Sequence, residues 1–571
     1  MYQVLRFTAA LAVLSLAGAA HAQTTVQSCP TGEAICVVEN GQTLNRVING
    51  DTTATGDRAR TDRVYQLVRD GIYLMDADVR NDGYDLIIEG QEGDGAIAQV
   101  YTTLNPDSGN RLGDPFGMQG DLTLRNFAMA GVLPESAGGA LENISTRVVR
   151  VRAPGFDLVM DRFYAINFQA SIVRAQSALN SFTLTNSMWI NSGWLGDNGT
   201  NFGAGKGIDF RDGSVQSVVM RNNTFVNYTD RIIRHRNSTA AIEDFFFDHN
   251  TILNAVSYHG TLALGDVGAK VKITNNLFYD SFVAGADTSD VVRQEEFNES
   301  GELYANGNPA MHWISSVPNE TTAWTVRNNA YVVTSAVEDF YAAYGDGSGD
   351  DGNPDNGTDG DNDIIGAGAP LTDHIRSKLD DPDGAFTEFD FDLTNAPDAP
   401  IAMVTWYRTE TGRTKETITF DAATDDYDRR TVDYFLDDFD PSYATTAGAY
   451  TAAAGSCPAG DLNWFPDRFD DCDAIAVDAE DGPQALAFGL SNGPNPFGAS
   501  TTIRYSLTEA SDVTLAVFDA LGRQVADLVS GPQPAGAHES ALSANGLASG
   551  VYLIRLQAND AVATHRMTVV R

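Results

Sequence analysis

The stretch Val218-Val219-Met220-Arg221-Asn222-Asn223-Thr224-Phe225 is followed by Phe245-Phe246-Phe247-Asp248-His249-Asn250-Thr251-Ile252. The same phrase returns as Val271-Lys272-Ile273-Thr274-Asn275-Asn276-Leu277-Phe278 and as Trp324-Thr325-Val326-Arg327-Asn328-Asn329-Ala330-Tyr331. Each copy has two or three alternating apolar positions, a polar residue, then an apolar one. Working outward, related phrases lie at Leu122-Thr123-Leu124-Arg125-Asn126, Leu158-Val159-Met160-Asp161-Arg162 and Phe182-Thr183-Leu184-Thr185-Asn186. The polar anchor falls at 126, 162, 186, 222, 249, 275 and 328, so the steps are 36, 24, 36, 27, 26 and 53, the last near two copies. Alternation turns one side of each short strand inward. Asn tolerates the left-handed corner that lets the chain change direction. A period in the twenties with strands and repeated corners predicts a parallel β-solenoid. The corner residues are expected to lie in one line, with Asn bonded to Asn in the next coil and His249 as a structural substitute. A leucine-rich repeat would need a regular leucine frame, which is missing.

Tyr65-Gln66-Leu67, Ile72-Tyr73-Leu74 and Leu86-Ile87-Ile88-Glu89-Gly90 read as the first coils. With the later Asn-Asn-x-Phe rungs, they make residues 60–335 resemble the pectate-lyase-like right-handed parallel β-helices. The resemblance implies fold more than activity. The reading is all-β: a single-stranded solenoid over 61–345, followed by a small C-terminal β-sandwich. Ahead of it stand a signal peptide (1–22) and an N-terminal segment (23–60). An acidic Asp/Gly/Asn loop (346–366), an irregular β extension and solenoid cap (367–475) and a linker (476–490) separate it from the tail (491–571). In the extension, Trp464 has two readings: contact with a substrate, or closure of the last coil, which is the preferred one.

Arg6 precedes an apolar run from Phe7 to Ala20, and Ala20-His21-Ala22 supplies the small-x-small pattern of an export signal. No later run is long enough to span a bilayer. The four cysteines suggest two disulfides in an exported chain, with three possible connectivities. The local pairing, Cys29–Cys36 and Cys457–Cys472, closes short loops and is preferred. A net charge of −40 with only 37 Lys and Arg argues against nucleic acid or an anionic membrane as partner. It also means that an acidic polysaccharide would need a local reversal of the field.

The tail reads Asn492-Gly493-Pro494-Asn495-Pro496-Phe497, Val513-Thr514-Leu515-Ala516-Val517-Phe518-Asp519, Leu521-Gly522-Arg523 and Ser549-Gly550-Val551-Tyr552, with a basic end at His565-Arg566. The spacing predicts a sandwich of about seven strands. It resembles the type A sorting domain of the type IX secretion system. That implies delivery to the outer surface or medium of a Gram-negative bacterium, with the secretion machinery as partner; the exported protein is separately expected to be a monomer.

H-E-x-x-H, a P-loop and a G-x-S-x-G elbow are all missing. Chemistry is therefore sought on the coil surface. Counting twelve residues on from the corners places Arg174 and Arg234 in one row. Arg211, in Ile208-Asp209-Phe210-Arg211-Asp212, is expected between them once an inserted loop at about 193–206 is allowed for. Three stacked arginines repel unless an anion lies over them. The plain alternative is salt bridges to Asp209, Asp212 and Asp230. The functional reading is a polysaccharide lyase acting by β-elimination on a uronic acid chain. That reaction needs a cation over the carboxylate and a base for the C5 proton. Arg211 or Arg234 would neutralise; His235, Arg236 or Lys206 would take the proton, with His259 one coil on. Arg174, Arg231 and Tyr228 would contact the sugar chain. Family pectate lyases use clustered aspartates for Ca²⁺ and an arginine near a proline. Asp209 and Asp212 stand where such ligands would be, but Ser257-Tyr258-His259-Gly260-Thr261-Leu262 lacks that arginine and proline. Asp359, Asp361 and Asp363 form a second candidate Ca²⁺ set. The competing reading is a non-catalytic adhesin or structural solenoid.

Overall fold

In the computed structural model, residues 26–569 are described except at 134–142, 194–204, 288–296, 345–363, 405–438, 479–489 and shorter breaks that include Asp212 and 236–239. The signal segment, Asp212, Arg236, Asp359, Asp361 and Asp363 lie outside the described residues.

The chain winds as a parallel β-helix with three strands to a coil. The first face stacks Val64–Leu67, Leu86–Gly90, Leu179–Thr185, Val215–Arg221, Ile242–Asp248, Val267–Thr274 and Ala323–Arg327. The second face stacks Ile72–Met75, Ala98–Thr102, Met188–Ser192, Thr224–Tyr228, Thr251–Ala255, Leu277–Tyr279 and Asn329–Val332. Leu122–Ala130 and Phe156–Phe168 run through both of these faces. The third face runs from Val79–Arg80 through Phe116–Met118, Val149–Val151, Ser171–Ala175, Lys206–Asp209, Ile233–Arg234 and Leu262–Ala263 to His312–Ser315 and Ala369–Leu371. All these pairings are parallel. The ladders pass residue 345, with Asn329–Tyr331 pairing Phe386–Glu388.

The expected corner line is present. Asn126, Arg162, Asn186, Asn222, His249, Asn275 and Asn328 all take φ between 47° and 61°. The residues just before them (Arg125, Asp161, Thr185, Arg221, Asp248, Thr274 and Arg327) are in register from coil to coil. Two details differ from the sequence reading. The 53-residue step is one coil with a long insertion, because Lys270–Thr274 pairs directly with Ala323–Arg327. One corner pair is bonded as expected, Asn328 Nδ2 donating to Asn275 Oδ1 at 3.4 Å, but the continuous amide ladder is carried by the residue after the corner. Asn223 donates to Asn250 at 2.9 Å, Asn250 to Asn276 at 3.1 Å and Asn276 to Asn329 at 2.8 Å, all buried. The first Asn of each pair thus supplies the left-handed turn, while the second faces the interior, where an unbonded amide would be costly.

A second left-handed line, Asn167, Asn191, Asn227 and Asn254, turns the second face toward the third. Its side chains also form a ladder, at 3.0, 2.8 and 3.1 Å. Between the ladders, apolar side chains fill the coil, including Phe225 stacked on Phe247 at 6.3 Å.

Ala369–Leu371 and Phe386–Glu388 of the extension continue the ladders, while its residues 439–465 lie along the flank of the coils. The outward row of the second face is apolar, with Ile166, Ile190, Val226, Leu253 and Tyr279 clustered with Phe439, Tyr443 and Phe465. An apolar row of this length needs cover. Asp461 accepts from Thr224 Oγ1 at 2.7 Å, and its own N–H donates to Thr251 at 2.9 Å. Trp464 donates its indole N–H to Thr224 at 2.8 Å. Its position is that of a strap residue, which corrects the cap reading. Both disulfides have the local pairing, Cys29–Cys36 and Cys457–Cys472.

His249 is fully enclosed beneath this strap, with Nδ1 at 3.1 Å from the Gly460 carbonyl. Burial lowers its pKa, against the opposing pull of Asp248. Burial also lowers His235 and His312. Unfolded histidine titrates near about 6.5, so below that pH the unfolded chain takes up protons that the folded chain refuses. This stability is complete above about pH 6.5 and is lost as pH falls toward the folded pKa. The melting temperature is therefore expected to drop between about pH 7.5 and 5. His249→Asn, which keeps the corner and removes one titration, is expected to flatten that slope. Equal slopes in the two proteins would refute the assignment.

The tail forms two antiparallel sheets. Ser491–Gly493, Ser500–Leu507 and Gly536–Ser543 make one; Gln524–Gln533, Ser511–Asp519, Gly550–Ala558 and Ala561–Val569 make the other. Ile503, Val513, Leu515, Val517, Ile554 and Leu556 belong to its own core.

Candidate functional site

On the third face, Val149, Val173, Ile208, Ile233 and Leu262 point inward and are fully buried. Alternation then turns their neighbours outward. In register, that outward row reads Arg150, Arg174, Asp209, Arg234, Ala263. The rung between Arg174 and Arg234 is therefore Asp209, not Arg211. Phe210 is fully buried, and Arg211 lies in the turn beyond the strand. The inserted loop hid the register by two residues. Asp209 sits between two guanidiniums, with Oδ2 at 3.7 Å from Arg174 Nε and Oδ1 at 3.5 Å from Arg234 Nη1. A divalent cation at Asp209 would have to displace both.

Beside this row, at the corner between the second and third faces, lies a more deeply buried group. Lys206 Nζ is 3.2 Å from Asp230 Oδ2, Arg231 Nε is 3.4 Å from the same oxygen, and His259 Nδ1 is 2.9 Å from Oδ1. None of these residues is more than 5% exposed. Lys206 is placed by its two neighbours. Gly205 has φ +90°, and a Cβ there would stand 2.0 Å from Thr229 Oγ1; a Cβ on Gly207 would stand 2.6 Å from the Ile232 carbonyl. Only glycine fits at either position.

The electrostatics follow from this enclosure. Burial lowers the Lys206 pKa, and Asp230 and Asp209 oppose that shift without cancelling it. Burial alone would raise Asp230, but Arg231, His259 and Lys206 together hold its carboxyl well below the usual carboxylate range. Arg174, Lys206, Arg231 and Arg234 face Asp209 and Asp230, a local excess of positive charge on a chain whose net charge is −40.

Several expected site residues lie elsewhere. Tyr228 is fully buried, its pKa raised well above the ordinary value by burial, and it stands edge-on to Phe225. The left-handed Asn227 just before it turns the ring into the core, so it is no sugar platform. His235 is 2% exposed and holds the Leu264 carbonyl at 2.9 Å through Nδ1, as a structural side chain does. The structure does bring Lys206, Arg231, Arg234 and Arg174 together. Sequence reading had set Asp230 aside as a salt-bridge partner, whereas it is the centre of the buried group. Its signal was its place in Asp230-Arg231, next to the second corner line.

Among the described residues, no helix is long and apolar enough to cross a membrane, and no three His, Cys, Asp or Glu side chains are grouped as metal ligands. Residues 494–570 match the family of secretion system C-terminal sorting domains. The tail is an export address. It marks the chain for the secretion machinery and for the outer surface or surroundings of a Gram-negative cell of the Bacteroidetes type. No curated protein matches the chain, and no solved structure does.

Proposed function

We propose that the exported solenoid binds an extracellular acidic polysaccharide on its third face and cleaves it by β-elimination. The observation that carries this reading is Lys206: a buried amine with a lowered pKa, set among arginines on a strongly acidic protein. A lysine drawn toward neutrality can accept the C5 proton of a uronic acid; the C4–O glycosidic bond then breaks as the C4=C5 double bond forms, and the leaving oxygen takes its proton from the Lys206 ammonium or from water. Arg234 and Arg231, close to Lys206, would balance the substrate carboxylate as charge develops on it. Asp230 holds Lys206, Arg231 and His259 in place. Ca²⁺ remains a candidate through Asp212, Asp359, Asp361 and Asp363.

One observation favours the second reading, a non-catalytic adhesin. The Lys206 side chain is only 6% exposed, so a substrate must open the group to reach it. Both readings are tested by ultraviolet absorbance of unsaturated ends on a panel of polyuronates, with and without Ca²⁺. A lyase gives a rising trace that Lys206→Met lowers at least about a hundredfold. A flat trace for the unaltered protein, with glycan binding retained, favours the adhesin.

A further inference from the structure

Toward the N-terminal end of the same face, Asp114 is shared by three arginines. Arg147 pairs with its Oδ1, while Arg150 and Arg152 reach its Oδ2 at 3.4 and 3.2 Å. One carboxylate cannot balance three guanidiniums, and each guanidinium carries five N–H donors. Arg150 spends two of these on Gln176 Oε1, at 3.1 and 2.5 Å. The side chains of Arg150 and Arg152 are 33% and 30% exposed. The face is shaped for them at Gly117, which is in register with Arg150 and Arg80. A Cβ at Gly117 would stand 2.7 Å from Arg152 Nε and 3.2 Å from Arg80 Cγ, so the missing side chain is the space through which Arg152 folds back over the strand. Arg150, Arg174, Asp209 and Arg234 occupy successive rungs, and rungs are about 4.8 Å apart. The excess positive charge thus continues along the solenoid axis for about 10 Å beyond Asp209.

We infer that Arg147, Arg150 and Arg152 form a remote subsite for a carboxylate or sulfate group of a polyanionic chain that runs along the third face, across the strands. The inference rests on the proposal that an acidic polysaccharide is the ligand, and it adds direction and length. One anionic group sits at the Lys206 group and another lies two or three rungs away. A short oligomer therefore spans one site, and a polymer spans both. Two linked contacts raise affinity through effective concentration.

The test uses the full exported protein and affinity electrophoresis in gels containing alginate or dextran sulfate, each as polymer and as short oligomer. Wild type is expected to be held more strongly by polymer than by oligomer. Arg150→Gln with Arg152→Gln is expected to bring polymer affinity down about tenfold or more, toward the oligomer value, while the oligomer value and the melting temperature change little. If the double variant fails to fold, each single variant leaves Asp114 two arginines and carries the same test with a smaller drop. Unchanged polymer affinity overturns the inference, as does a wild type that neither polymer retains. If the variant loses polymer affinity while no polyuronate gains unsaturated ends, the subsite stands and the lyase reading falls.

Discussion

Removing residues 491–571 is expected to leave a folded solenoid that no longer reaches the cell exterior in a host with a type IX system. The tail keeps its own core, built from Ile503, Val513, Leu515, Val517, Ile554 and Leu556, and these residues are separate from those that fill the coils. The tail also matches the sorting-domain family over nearly its whole length. An element with its own core can be lost without opening the core of its neighbour. Delivery is expected to fall from nearly complete to background, because a receptor-read address either is present or is not. Fractionating cells into envelope and medium, with circular dichroism of the truncated chain as the folding check, measures both parts. Normal delivery of the truncated protein would show that the address lies elsewhere. A chain that is retained and also unfolded would show that the tail contributes to stability.

The fold was legible because the corner residue is a local requirement. A left-handed φ selects Asn at five of the seven corners, and in the later coils the adjacent buried position selects a second Asn for the ladder. Those two demands write Asn222-Asn223 and Asn275-Asn276 into the sequence. Where other residues meet the same demand, as at Arg162 and His249, the apolar alternation around them still fixes the register. The second corner line was harder to see. Asn167, Asn191, Asn227 and Asn254 stand singly inside apolar runs, without the doubled amide.

The site was legible in its composition but not in its register. An insertion between the second and third faces changes the count from the corner to the next strand, and the allowance made for it put Arg211 where Asp209 belongs. Burial parity would have corrected it, because Ile208 and Phe210 must both face inward, which leaves Asp209 on the outward row. Tyr228 failed for a related reason: a left-handed residue reverses the alternation, and Asn227 immediately precedes it. The arginines around Asp114 were missed because Arg150 lies in, and Arg147 and Arg152 beside, a short strand outside the repeated phrase.

Asp230→Asn is expected to have the largest effect of any single substitution on stability. The side chain is about 1% exposed and carries Lys206, Arg231 and His259 on two oxygens. The amide keeps the shape and removes the charge, so Lys206 and Arg231 stay buried after losing this counter-ion. Breaking a buried pair from one side in this way costs about 3–5 kcal/mol. Lys206→Met leaves Asp230 with Arg231 and His259, so its cost is expected to be smaller. The double variant is expected to recover part of the loss, because the ammonium that Asp230→Asn strands is gone and a thioether chain fills its space. Urea unfolding of the three variants gives the coupling between the two sites. Strictly additive losses would show that Asp230 serves Arg231 and His259 alone. Activity separates structure from chemistry in the same set: if Lys206 is the base, the double variant regains stability but no turnover. A double variant that regained both would remove Lys206 from the mechanism.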